Sequence, residues 1–167
     1  MPAPLVELTL EADAFAADWR HCDQVANYLA QLVAHDRPDS FLYANLLSTV
    51  LNELLESVFA RHRRPGSVRC TLLREGRNDR VELVVPVDAS ARAFYEETVA
   101  AAQSAGVAET YTRTLLGKEA PADLLGLLEL AADYGARLSV EETGSAEEIR
   151  LVLQVTLADG GTPAIAL

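Results

Sequence analysis

Cysteine is scarce in this 167-residue chain, which carries only Cys22 and Cys70, too few for the dense bridging that holds small secreted domains together. Their neighbours read as a helix and a strand, so both are expected to be free, buried thiols without a redox role. No run of about eighteen uncharged apolar residues occurs. The first twenty positions hold Glu7, Glu11, Asp13 and Asp18, where a secretory leader needs a basic start followed by an apolar stretch. The expectation is a soluble, cytoplasmic protein with no membrane association. Half of the residues are hydrophobic, which excludes a disordered chain.

Several signatures of chemistry are also missing. His21, His35 and His62 have no Cys, Asp or Glu at ligand spacing on the same element, so no zinc site is read from them. There is no G-x-S-x-G elbow, no G-x-x-x-x-G-K-[ST] loop and no strand-borne G-x-G-x-x-G. The net charge of −11 repels nucleic acid. Charge is uneven, however. Between Arg61 and Arg80 stand seven arginines against Glu75 and Asp79, a local excess of +5 that leaves −16 for the remainder. A basic patch on an acidic chain suggests an anionic ligand or an acidic partner surface, with a solvated hairpin as the plain alternative.

What is present is strong periodicity. Val6 to Leu10 alternates as a strand does. From Trp19 the apolar positions Cys22, Val25, Ala26, Leu29, Leu32 and Val33 fall three and four apart, predicting a helix that stops near Asp36 ahead of Arg37-Pro38. Ser40 can cap a second helix, whose apolar stripe is Leu42, Leu46, Leu47, Val50, Leu51, Leu54, Leu55, Val58 and Phe59. Its polar face carries Asn45, Thr49, Asn52, Glu53, Glu56 and Ser57. Strands at 68–73 and 81–87, joined through 75–79, predict a hairpin. A helix follows Asp88, burying Ala91, Phe94, Tyr95, Thr98, Val99 and Ala102.

The stretch 107–120 lacks sustained periodicity and reads as a connector with room for a helical turn. Pro121 opens a leucine-rich helix that Gly135 ends, and 137–140 with 149–157 predict a closing hairpin. Residues 158–167 read as a loose tail. The fold class implied is α+β, a two-layer sandwich of a mixed, mostly antiparallel sheet with helices on one face. It spans one domain, 1–167.

The run Leu51-Asn52-Glu53-Leu54-Leu55-Glu56-Ser57 resembles the N-E-L-L-E-N-A helix of the GHKL family of ATP-binding domains, shared by histidine kinases and anti-sigma-factor serine kinases. The resemblance extends over 40–157 and leaves out the first 39 residues. Val84-Val85-Pro86-Val87-Asp88 ends in an aspartate where the family has its adenine contact, and Leu125-Gly126-Leu127-Leu128 looks like its second glycine box. The segments as a set look like a divergent bacterial branch that works with STAS-domain partners. On this resemblance Glu53 would be the catalytic residue, Asn52, Ser57, Asp88 and Gly126 the cofactor-binding residues, and Ser57 the magnesium ligand.

The pattern is depleted, because Ser57 stands for the family's magnesium-holding asparagine. Ala89-Ser90-Ala91 likewise replaces its glycines after Asp88. The leading expectation is therefore a regulatory protein with a degenerate ATP-binding site, requiring no cofactor and controlling a STAS-domain or acidic-surfaced partner through Arg61, Arg63, Arg64 and Arg77. The alternatives are a serine/threonine kinase using ATP and magnesium, with Glu53 activating a hydroxyl, and a self-associating, homodimeric structural domain.

Overall fold

The computed structural model describes residues 3–62, 65–117 and 121–156. Alternation produces β1 (Pro4–Glu11). The helix expected from Trp19 is α2 (Arg20–Ala34), and a short helix that the periodicity does not include, α1 (Ala12–Ala17), precedes it. Asp18 separates them in extended backbone. Its carboxylate accepts from the Arg20 amide at 3.0 Å and from the Arg20 guanidinium at 2.8 Å, bonds that hold the carboxyl down at about 2. Such a local bond offers the backbone an alternative to continuing the helix. The buried face of α2 is Cys22, Ala26, Leu29, Ala30, Val33 and Ala34. Trp19 and Leu32, expected on that face, are 47% and 46% exposed.

The longest element is α3 (Ser40–Arg61). It packs against α2 along one side and α6 (Ala122–Ala132) along another, over the sheet's apolar face. Two helical neighbours spread its burial around the cylinder, which corrects the single stripe at both ends. Leu42 is 63% exposed, and Tyr43 takes the buried place at the helix start. Ser57, expected on the solvent face, is buried at 4% exposure.

The chain then forms the hairpin of β2 (Ser67–Glu75) and β3 (Asn78–Pro86). Gly76 supplies the left-handed φ of +65° that the tight turn requires. After α4 (Ala89–Ala102) the expected connector is in fact a helix, α5 (Val107–Leu116), which fully buries none of its side chains. Pro121 precedes α6 as its cap residue rather than opening the helix. β4 (Arg137–Glu142) and β5 (Glu148–Thr156) close the sheet. The expected end of the last strand at Leu157 and the tail 158–167 lie outside the described residues.

Strand order is β1-β2-β3-β5-β4. Among the described residues every pairing is antiparallel, without the parallel member that a mixed sheet would contain. One face of this α+β two-layer fold is apolar, with Val68, Cys70, Leu72, Val81, Leu83, Val85, Ile149, Leu151 and Leu153 buried beneath the helices. Burial pushes the thiols of Cys22 and Cys70 up to about 12, so both are protonated and inert. The opposite face carries a ring of charges in which Arg80 meets Glu82 at 2.7 Å and Glu141 at 3.0 Å. Arg150 faces the same two carboxylates at 3.5 and 3.7 Å.

A second polar cluster ties the helices to the hairpin. Tyr43 of α3 donates to Asp79 of β3, and Arg74 of β2 donates to Asp79 at 2.8 Å and to the Val33 carbonyl of α2 at 2.9 Å. Among the described residues no helix is long and apolar enough to cross a membrane.

Candidate functional site

Helical spacing sets Glu53, Glu56, Ser57 and Ala60 along the side of α3 that α6 approaches, with Glu56 and Ser57 one turn beyond Glu53 and Ala60 a further turn on. The approach is close because residue 126 is glycine: a Cβ there would collide with Ser57 Oγ and come within 3.4 Å of Glu53 Oε2. Glu53, Ser57 and Gly126, singled out from the sequence, are thus brought together at one helix crossing. With Trp19, Glu56, Ala60 and Asp123, Glu53 and Ser57 line a hollow of ≈ 270 Å³.

The remaining candidates lie elsewhere. Asp88 caps α4 by accepting from the Ala91 amide at 2.8 Å. It lines a separate hollow of ≈ 190 Å³ with Arg61, His62, Pro86 and Tyr95. Asn52 donates to Glu56 Oε1 at 3.1 Å, while its own Oδ1 is buried without a partner among the described residues. The proposed adenine contact and the proposed magnesium ligand therefore open into different cavities.

The described arginines of the basic stretch take several places. Arg61 pairs with Asp123 at 2.8 Å and lies over the Phe94 ring at 3.7 Å, which makes it a strut between α3, α4 and α6. Arg74 and Arg80 are committed to the two clusters described above. Arg77 is exposed in the β2–β3 turn, far along the chain from Arg61 and engaged in an interaction of its own. Arg63 and Arg64 lie outside the described residues. Among the described residues, Arg61, Arg74 and Arg80 of that stretch serve distinct structural roles.

Electrostatically the α3–α6 crossing is acidic. Burial raises the Glu53 carboxyl above its ordinary value, and the neighbouring carboxylates Glu129 and Glu56 raise it further. Glu129 is raised by burial and then by Asp133. The phenols of Tyr111 and Tyr134 are pushed up by burial and by the same carboxylates. No described residue donates a hydrogen bond to Glu53 or forms an ion pair with it. Among the described residues no group of three or more His, Cys, Asp or Glu side chains is placed to hold a metal ion, so Ser57 has no ligand set around it.

Trp19, Asp123 and Glu129 escape a reading by elements, because each meets Glu53 or its hollow only through helix packing. Gly126 was the available signal, a glycine inside an apolar helix that asks for a close neighbour.

No protein-family model matches this chain, and no curated protein matches it either.

The arrangement can hold or release a proton at Glu53, or receive a positive charge there.

Proposed function

We propose that this chain is a regulatory protein with a GHKL-like fold and a degenerate nucleotide site, which controls a STAS-domain or other signalling partner by binding. The observation that carries the reading is the burial of Ser57 beneath Gly126. The position that would hold magnesium lies against the α6 backbone at Gly126 and among carboxylates, which repel a triphosphate. Asp88 spends its carboxylate on capping α4. Exposed Phe41 and Leu42 at the start of α3, and Leu115 and Leu116 at the end of α5, offer apolar surface of the kind used for association.

ATP with magnesium at millimolar concentration should raise the melting temperature by less than about one degree, because stabilisation follows RT ln(1 + [L]/Kd) and Kd would exceed the ligand concentration. A purified STAS domain should bind without nucleotide. One observation favours the kinase alternative, the raised Glu53 carboxyl, whose pKa lies closer to neutrality as a general base requires. A shift of several degrees with ATP, or transfer of phosphate to the STAS domain, would overturn the regulatory reading in favour of that one.

A further inference from the structure

We propose that the hollow between α3 and the start of α2 binds a ligand through a positively charged nitrogen head, an alkylguanidinium or alkylammonium group. Glu53 is half-buried, yet it receives no hydrogen bond or ion pair from any described residue, and the charges that act on it are those of Glu129 and Glu56. A half-buried carboxylate among like charges is costly unless something compensates it.

One turn along, Ser57 lines the same hollow at 4% exposure, and its hydroxyl has no hydrogen-bond partner among the described residues. The other carboxylates are already used: Glu56 accepts from Asn52 and Asp123 from Arg61. Glu53 and Ser57 are therefore the two open positions, one acidic and one able to accept a hydrogen bond from an N–H. The wall beside them is the half-exposed indole of Trp19.

An aromatic face, an unpaired carboxylate and a spare hydroxyl oxygen match an organic cation, which gains from all three. A phosphate or carboxylate ligand would be repelled by them. A metal ion would lack its ligand set, since no group of three suitable side chains is available among the described residues. The hollow, at ≈ 270 Å³, has room for such a head and a short alkyl stem. This site goes beyond the regulatory reading and does not depend on whether nucleotide binds.

Trp19 is the chain's one tryptophan, so its fluorescence reports from the hollow directly. The full chain would be titrated at low ionic strength, where screening is weak, with agmatine and separately with a capped Gly-Arg-Gly tripeptide. At least one probe should change the emission saturably, and an uncharged alkylurea should not. Saturation by agmatine alone identifies a free small cation as the source, and tighter binding of the tripeptide identifies a partner's side chain.

Glu53→Gln keeps the shape and removes the charge, and should raise the apparent dissociation constant about tenfold. Far-UV circular dichroism would verify that this variant is folded, and Ser57→Ala provides a second variant with weaker loss. If neither probe saturates, or if Glu53→Gln binds both as tightly as the unaltered chain, the proposal is wrong.

Discussion

Removing the Asp79 carboxylate should be among the most damaging single changes in this protein. The residue is 1% exposed and sits at the start of β3, where it accepts from Arg74 Nε at 2.8 Å, from a second Arg74 nitrogen at 3.2 Å and from the Tyr43 hydroxyl. Through Arg74 it also supports the bond to the Val33 carbonyl at the end of α2. One carboxylate thus links two helices to the hairpin.

Asp79→Ala leaves a largely covered guanidinium without its counter-charge and a buried hydroxyl without its acceptor. Breaking a buried pair costs about 3 to 5 kcal/mol. The Arg74 side chain retains 27% exposure, and water reaching it moves the estimate to the lower end, about 3 kcal/mol. For a chain of this length that corresponds to roughly 6 to 12 °C in melting temperature. Tyr43→Phe should cost about 1 kcal/mol, because Asp79 keeps both bonds to Arg74. Urea melts of the two single variants and the double variant form the assay. A network implies a coupling energy of at least about 0.5 kcal/mol in that cycle. Strict additivity, or an Asp79→Ala variant within about 1 kcal/mol of the unaltered chain, would refute the reasoning.

Gly126→Ala should destabilise by about 1 to 3 kcal/mol in denaturant melts, since the new methyl meets Ser57 Oγ at the α3–α6 crossing. Adding Ser57→Ala should recover part of that loss. Glu53→Gln should raise the melting temperature at neutral pH, because the folded state holds this carboxyl above its ordinary value of 4.5. A group raised in this way favours folding below its unfolded value, and that contribution is lost as pH rises through the folded value. The gain from Glu53→Gln should therefore shrink as pH falls below the ordinary carboxylate range, and a gain independent of pH would contradict the assignment.

Periodicity along the chain was enough to locate β1, α2, α3, the β2–β3 hairpin, α4, α6 and the closing hairpin, and with them the α+β class. Alternation and three-to-four spacing report which side of an element is apolar, and that is a local property. Leu54, Leu55 and Val58 are buried as their spacing predicts. Asp18 shows the limit of such reading, because its carboxylate turning back on Arg20 sets off the short helix α1, which the apolar pattern from Trp19 does not include. The helix α5 fully buries no side chain; Val107 and Tyr111, one turn apart, pack partly against the core, too short an apolar series to stand out along the chain.

Along the sequence Glu53 and Ser57 could be picked out, but their surroundings could not. A polar residue on a helix facing a second helix has the same local pattern as one facing water, and only the packing of α6 through Gly126 placed Ser57 inside. The charges behaved alike: seven arginines close together in sequence form a patch only if the fold leaves them side by side. Here Arg61 turned to Asp123, Arg74 to Asp79 and Arg80 to Glu82 and Glu141. Those partners lie on other elements, and the distances that make an ion pair exist only once the helices have settled on the sheet.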